Sequence, residues 1–285
     1  MKGLNRINFD LSRLKVDAAE EVCPLCLGAG VVVEEGDDGR RARPCDCRRE
    51  KEKARRLSTA GVPPRYRLCR LEGFKTVRGL TDEASAQAAL ATARAFAAAY
   101  PAVDAGLLFM GPVGVGKTHL AVGILNELAE RKGAICRFCD FADLLANIRR
   151  RYAADNFDEY TLVDRLATVE VLLLDDLGSM KIRDWTLDLL SYVINQRYEH
   201  KRLIIATTNF LDPEVKSASG GARSYGPTEG MDNYYLPEPA RRDETLGERI
   251  GDRLRSRLYE MCKTVLIRGA DFRQSQRQSG LLTNL

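Results

Sequence analysis

Residues 111–118, GPVGVGKT, limit what this chain can fold into more than any other stretch. They fit the phosphate-binding pattern G-x-x-x-x-G-K-[ST], in which glycines let backbone N–H groups approach a triphosphate without Cβ clashes. A short apolar run, 107–110, precedes the loop, and apolar residues at helical spacing follow it over 119–131. Because strand, glycine loop and helix are the context that the pattern requires, the sequence predicts a nucleotide-binding α/β domain rather than a glycine-rich turn with an incidental lysine.

The positions of this loop have different expected roles. We expect Lys117 to reach the β- and γ-phosphates of ATP as a point charge, and Thr118 to offer its hydroxyl to Mg²⁺. The other expected ATP-binding residues are Gly111, Pro112, Val113, Gly114, Val115, Gly116 and His119.

Two further apolar strands end in polar side chains, VEVLLLDD over 169–176 and LIIATTN over 203–209. Ligands of open parallel sheets bind at the carboxyl ends of the strands. We therefore expect Asp175 to hold magnesium and Asp176 to orient or polarise the attacking water, with Asn209 bonded to the γ-phosphate or to that water. The alternative is a pair of solvated loop aspartates. ATPases with this kind of phosphate loop more often have glutamate at the position of Asp176. The sequence therefore predicts nucleotide binding more firmly than fast hydrolysis.

The alternation of apolar strands and helices predicts a parallel sheet covered on both faces. The expected strands are 107–110, 135–138, 169–174, 203–207 and 264–267, and the expected helices 81–100, 119–131, 140–153, 185–200 and 244–262. The segment 212–244 has four prolines and no sustained period, which predicts a flexible insertion.

Two close cysteine pairs lie near the N-terminus, Cys23 with Cys26 and Cys45 with Cys47, eighteen residues apart. The chain has no signal-peptide core and no run of 18 apolar residues, so we expect a cytoplasmic protein without a membrane segment. Disulfides are rare in that compartment, and the pairs therefore predict a tetrahedral Zn²⁺ site. Buried or redox-active cysteines in a flexible arm are the alternative.

The charge is unevenly distributed. The 285 residues carry a net charge of only +4, but 40–70 holds twelve Lys or Arg against three Asp or Glu. Such a segment indicates a polyanion partner, either nucleic acid or an acidic protein, or else a solvated linker. We expect two domains: a zinc-binding module with a basic linker helix over 1–60, and an ATPase domain over 61–285.

Taken together, the motifs resemble AAA+ ATPases, and among them bacterial helicase loaders of the DnaC and DnaI type with their relative IstB, a transposition helper ATPase. The matching parts are GPVGVGKTHLA, RFCDFADLLANIR, VEVLLLDDLG, IIATTN, GERIGDRLRSRL and GADFRQ. The resemblance implies a P-loop NTPase core with a five-stranded parallel sheet of order 5-1-4-3-2. It also implies no C-terminal helical lid, since about 18 residues follow the last expected strand.

The resemblance also implies residue roles. Asn209 takes the place of the sensor-1 residue, and Arg273 that of a sensor-2 arginine, which contacts phosphate in its own subunit. Arg249, Arg253 and Arg257 are four residues apart and would share one helix face. Arg249 or Arg253 takes the place of the arginine finger, which reaches the nucleotide of a neighbouring subunit in an ATP-bound homo-oligomer. A solvated helix face is the alternative.

The implied function is loading of the replicative DNA helicase onto single-stranded DNA, with a weak ATPase that assembly or DNA stimulates. The N-terminal module would contact the helicase, and the region 142–166 would contact DNA through Arg149, Arg150, Arg151, Tyr152 and Phe157. An ordinary amphipathic helix is the alternative for that region. The alternative functions are an IstB-like transposition helper and a zinc adaptor whose phosphate loop only senses ATP. A small-molecule kinase is disfavoured.

Overall fold

The computed structural model describes residues 22–36, 39–76, 82–152, 159–180, 184–212 and 244–272. The chain forms two compact units, one ending at Glu52 and the other beginning at Lys53. This division falls inside helix α1 (Asp46–Ala60). The domain limit at 60/61 stays a prediction.

The first unit contains an antiparallel hairpin of β1 (Val31–Gly36) and β2 (Gly39–Pro44). Val31 pairs with Pro44 at its open end, and the Cys45 N–H donates to the carbonyl of Gly30 at 2.9 Å. One cysteine pair precedes β1 and the other follows β2, so the hairpin brings together two pairs that are distant in sequence.

The second unit contains a sheet of five parallel strands: β3 (Gly106–Met110), β4 (Cys136–Asp140), β5 (Val171–Asp175), β6 (Leu203–Thr208) and β7 (Cys262–Leu266). Their order is β4-β5-β6-β3-β7. Numbered along the chain from β3, this is the expected order 5-1-4-3-2, so the predicted sheet topology is confirmed.

Helices cover both faces of this sheet, as the strand pattern predicted. Leu107 and Phe109 of β3 point into one buried cluster, whereas Leu108 and Met110 point into the other, as the two-residue period of a strand requires. The helices are α2 (Glu83–Ala99), α3 (Lys117–Glu127) with a π-helical turn over Leu128–Lys132, α4 (Phe141–Tyr152), α5 (Glu159–Thr168), α6 (Asp184–Glu199), α7 (Leu246–Ile250) and α8 (Asp252–Met261). Of the helices in the described part of the chain, none combines the length and the apolar character that crossing a bilayer requires.

The single helix expected over 244–262 is wrong, because Gly251 interrupts it. Gly251 has φ +85° and ψ 143°, which no α-helix contains. The Thr245 side chain accepts from the Glu248 N–H, and the Glu248 side chain accepts from the Thr245 N–H, so α7 has a complete capping box of its own. Arg249 consequently lies on α7, and Arg253 lies on α8. Residues 213–243 of the expected insertion, and Arg273, lie outside the described residues.

Candidate nucleotide-binding site and thiolate cluster

The phosphate loop connects the end of β3 to the start of α3, and three of its glycines are required by geometry. Gly111, Gly114 and Gly116 have φ of +148°, +80° and +97°. A Cβ on Gly111 would lie 2.0 Å from the carbonyl oxygen of Ile267, and one on Gly114 would lie 1.8 Å from the Asp271 carboxylate. The loop therefore follows a path open only to glycine, and it ends at the N-terminus of α3, where the helix dipole favours an anion.

Side chains from three separate elements form one hydrogen-bonded chain at this loop. Lys117, only 6% exposed, donates from Nζ to the carbonyls of Gly111 (2.9 Å) and Pro112 (2.6 Å) and to Oδ1 of Asn209 (2.7 Å). Asn209 donates in turn from Nδ2 to Oδ1 of Asp176 at 2.6 Å. Three of the five residues expected to take part in catalysis thus lie in contact.

The two residues expected to hold magnesium also lie together. Thr118 Oγ1 donates to Asp175 Oδ1 at 2.9 Å, and Thr207 Oγ1 donates to the same oxygen at 2.7 Å. Burial raises the pKa of Asp175, and these two hydrogen bonds act in the opposite direction. With Mg–O distances of 2.0–2.1 Å, neighbouring ligand oxygens in an octahedral shell lie about 2.9 Å apart. The spacing of Thr118 and Asp175 fits Mg²⁺.

The sequence places Thr207 at a strand end but did not predict its contact with the two acids. Its hydroxyl also accepts from the backbone N–H of Asp176 at 2.9 Å, where Asp176 has the unusual φ of +55°. A single buried hydroxyl on β6 therefore holds one acidic residue through its carboxylate and the next through its backbone.

The loop opens into a cavity of about 580 Å³, within the usual range of small-ligand pockets. One wall consists of the phosphate loop, His119 and the acids at the strand ends. A second wall was missed by the sequence analysis and comprises Arg65, Tyr66, Cys69, Gly73, Phe74 and Lys75. The Pro63–Pro64 pair and the aromatic residues that follow it are the sequence signal that marks this wall.

Helix α3 supports this second wall directly. His119 Nε2 donates to the carbonyl of Arg70 at 2.9 Å, and its ring lies 5.7 Å from that of Phe74. Asn126, 2% exposed, donates to the carbonyl of Cys69 at 3.0 Å. The residues that follow the phosphate loop therefore fix this second wall.

Arg249 is held within its own subunit and does not line the cavity. Its Nε and Nη2 donate to the carbonyls of Gly178 (2.8 Å) and Ser179 (3.2 Å), in the turn after Asp176. Its Nη1 lies 2.9 Å from a Glu244 carboxylate oxygen, and the guanidinium stands 4.5 Å over the ring of Phe210. Arg249 thus links the turn after β5 with the segment after β6.

Arg253 has a different environment, although it is only four residues away. Its side chain is exposed, and within the part of the chain that the structure describes it forms no hydrogen bond or ion pair. Arg257, one turn further, lies over the ring of Tyr198 at 5.2 Å.

The four cysteines of the first unit form a cluster in which all four sulfurs lie within 4.8 Å of one another. Cys23 and Cys45 sulfurs are 3.8 Å apart, and those of Cys26 and Cys47 are 3.3 Å apart. A tetrahedral site with Zn–S bonds of 2.3 Å has sulfurs about 3.8 Å apart, so the cluster fits Zn²⁺. The hydrogen bond between Cys26 and Cys47 lowers the pKa of Cys26 to about 6 and raises that of Cys47 to about 12.

The expected DNA-binding region is described only in part. The Arg150 side chain is exposed and donates to Oδ1 of Asn147 at 3.1 Å. Phe157 and the side chains of Arg149, Arg151 and Tyr152 lie outside the described residues. Contact of this region with DNA stays a prediction.

A P-loop fold of AAA+ type is defined by the sheet order together with the glycine loop, the two acids after β5 and the asparagine after β6. A family model of the IstB-like ATP binding proteins matches residues 48–214, which is more than half of the chain. The chain belongs to this family, and its resemblance to DnaC and DnaI proteins is confirmed.

The individual relatives are about a quarter to a third identical to this chain. The chain is 26% identical over 179 residues to the uncharacterized protein YqaM of Bacillus subtilis, covering 60% of this chain but only 56% of that relative. It is 24% identical over 202 residues to the replicative helicase loader DnaC of Escherichia coli, covering 70% and 69% of the two chains. A crystal structure of the DnaC helicase loader matches at 30% identity with a TM-score of 0.54, over 72% of this chain and 99% of that one.

Proposed function

We propose that this chain is an ATPase that loads a replicative DNA helicase onto single-stranded DNA. The observation that carries the proposal is the likeness to the DnaC helicase loader structure, at 30% identity over nearly all of that chain. The contacts among Lys117, Asn209 and Asp176 support ATP binding and hydrolysis at the phosphate loop.

ATP would occupy the cavity with its phosphates against the glycine loop. Lys117 would neutralise the β- and γ-phosphates, and the N–H groups at the start of α3 would bind their oxygens. Thr118 and Asp175 would hold Mg²⁺, which supplies charge neutralisation at the phosphates when bound. Asp176 would accept hydrogen bonds from the attacking water, and Asn209, bonded to Asp176, would fix its position.

We assign the two arginines different roles. Arg253 would act in trans, because it is exposed and without a partner among the described residues. Arg249 would act in cis as a positioning residue, because it bonds to the turn that follows Asp176. An arginine in trans requires that ATP-bound subunits form a homo-oligomer.

A subunit-mixing experiment separates these roles. Arg253→Ala should bind ATP and hydrolyse it about 10³-fold more slowly, and mixing with Lys117→Ala should restore part of the activity. In that mixture an intact ATP site can face an intact Arg253. Arg249→Ala mixed with Lys117→Ala should stay inactive, because neither protein then has an intact site. Equal recovery in both mixtures would contradict the division of roles.

The first unit would hold one Zn²⁺ through Cys23, Cys26, Cys45 and Cys47 and provide the contact with the helicase. Thiolate ligands at this spacing close a structural site, which a unit with so small a core needs in order to fold. The function is tested by capturing the purified replicative helicase of the same cell with the full chain, with and without ATP. Absence of capture under both conditions would contradict the loader function.

The family match favours one alternative, a transposition helper of the IstB type. Such a protein should bind its transposase and not the helicase, so the same capture experiment with both partners distinguishes the two functions. An adaptor that only senses ATP would bind ATP and the helicase but show no turnover with single-stranded DNA present.

A further inference from the structure

The second cavity wall carries an arginine that none of the roles above uses. Arg65 lies in a short 3₁₀ turn, Pro64–Tyr66, directly after Pro63. Two adjacent prolines fix the backbone φ there, and the Tyr66 N–H donates to the Pro63 carbonyl at 2.9 Å. The backbone on both sides of Arg65 is therefore constrained.

The side chain of Arg65 is also held in place. Its guanidinium lies 4.4 Å over the ring of Tyr66, and its Nη2 donates to the Tyr66 hydroxyl. Tyr66 in turn packs against Phe138 of β4, with ring centroids 6.3 Å apart. A stacked guanidinium on a packed ring loses little entropy when it binds a ligand.

Through the contact of Tyr66 with Phe138, Arg65 lies beside β4, the strand that ends at Asp140. It lines the cavity together with Asp140, Asp175 and Asp176, and β4 places Asp140 directly opposite Asp175. The hydrogen bond to Tyr66 is the main cause of the raised pKa of Arg65, and the charges of Asp175 and Asp140 add to it. Phe74 and His119 mark the other part of the cavity, beside Gly116.

The remaining N–H groups of Arg65 have no acceptor among the residues that the structure describes. An arginine that is held from behind and presents free donors toward a cavity suits recognition of a phosphate. Asp175 would hold Mg²⁺ beside the phosphates, and with Mg²⁺ at the strand ends a phosphate on this side of the cavity would be the terminal one.

We propose that Arg65 contacts the terminal phosphate of ATP from within the same subunit, and so lets the site distinguish ATP from ADP. This inference rests on the proposed function, because it requires ATP in the cavity. The ordinary explanation, a solvated charge in the basic segment 40–70, accounts neither for the stacking on Tyr66 nor for the position on the cavity wall.

The test compares ATP and ADP affinity of the full-length chain by calorimetry for wild type, Arg65→Ala, Arg65→Lys and Arg67→Ala. Arg67 is the matched control, because it is an exposed arginine two residues away that does not line the cavity. Losing a charged hydrogen bond should weaken ATP binding by Arg65→Ala about 10- to 100-fold, with ADP affinity changed by less than about 3-fold. Arg65→Lys should lie between wild type and Arg65→Ala, and Arg67→Ala should match wild type for both nucleotides.

The readout is the ratio of the two affinities, which a general disturbance of the fold would not change. Equal weakening of ATP and ADP, or no weakening in either Arg65 variant, would overturn the inference while leaving the proposed function intact. Wild-type protein that fails to bind ATP would overturn both. If Arg65→Ala does not fold, judged by circular dichroism, Arg65→Lys decides the question, and an unchanged affinity ratio in that variant would refute the contact.

Discussion

Replacing Thr207 by valine tests how the two acids of the site are held. Valine has nearly the same shape, so the change removes only the hydroxyl of a residue that is 1% exposed. That hydroxyl donates to Asp175 at 2.7 Å and accepts from the Asp176 N–H at 2.9 Å. Thr207→Val should therefore affect both stability and metal-dependent nucleotide binding.

The expected cost follows from these two bonds. A hydrogen bond to a charged carboxylate contributes about 1.5–3 kcal/mol, and the Asp176 N–H left without its partner costs about 1 kcal/mol or more. Asp176 is only half-buried, so water can replace part of the second contribution. We expect a loss of about 2–4 kcal/mol in the free energy of unfolding, which a domain with a stability of about 5–15 kcal/mol survives.

The variant should also shift the pH dependence of binding. Asp175 must be ionised to hold Mg²⁺; burial raises its pKa and the Thr207 hydroxyl counteracts this. Without the hydroxyl the pKa of Asp175 rises further, so Mg²⁺-dependent binding should be lost at a higher pH than in wild type as the pH falls.

Two measurements check this prediction: urea unfolding, and the affinity for a fluorescent ATP analogue over about pH 5 to 8 with and without Mg²⁺. Thr208→Val is the control, because its hydroxyl is also buried but donates to the Leu177 carbonyl at 2.8 Å. It should lose stability without moving the pH limit. If Thr207→Val keeps the wild-type pH limit, or if Thr208→Val moves it equally, Thr207 does not tune Asp175.

Further predictions concern other parts of the molecule. Lys117→Ala should abolish ATP binding measured by calorimetry, because it removes the main cation facing the phosphates, and should leave zinc content unchanged. The purified chain should contain one Zn²⁺ by metal analysis; Cys26→Ser should lose it, and Cys69→Ser, outside the cluster, should keep it. Arg197→Met should lower the free energy of unfolding by about 3–5 kcal/mol, because this fully buried arginine donates to the carbonyls of Leu166, Val169, Glu170 and Leu203. Arg202→Met, which removes one such bond, should cost far less, and equal costs would contradict this account.

The sheet and the phosphate loop could be predicted because local pattern determines them. Strands buried on both faces read as unbroken apolar runs, and the loop glycines are required by close backbone approach wherever this fold occurs. The residues at the strand ends could be placed together for the same reason, because parallel strands end at one edge. Asn209 and Asp176 are in contact as a result, although they are 33 positions apart in the sequence.

The cavity wall around Arg65 and the hairpin of the first unit could not be predicted in this way. Residues 62–75 form no regular element beyond a single 3₁₀ turn, and their position depends on Asn126 and His119, which bond to their backbone from α3. In the hairpin, β2 is basic and almost fully exposed, so it lacks the alternation of apolar and polar residues that marks a half-buried strand.

Gly251 determines which arginine is available to a second subunit. In an unbroken helix Arg249 and Arg253 would lie one turn apart on one face, and the sequence could not choose between them. With φ of +85° at Gly251, α7 ends and Arg249 turns toward the Gly178 carbonyl, where its side chain is 15% exposed. Arg253 lies in the first turn of the next helix and stays exposed, so its loss matters where subunits meet. Loss of Arg249 instead disturbs the turn after Asp176 in its own subunit. A four-residue spacing predicts that two arginines share a face only where the helix is continuous. The glycine between Arg249 and Arg253 interrupts the helix, so these two arginines do not share a face.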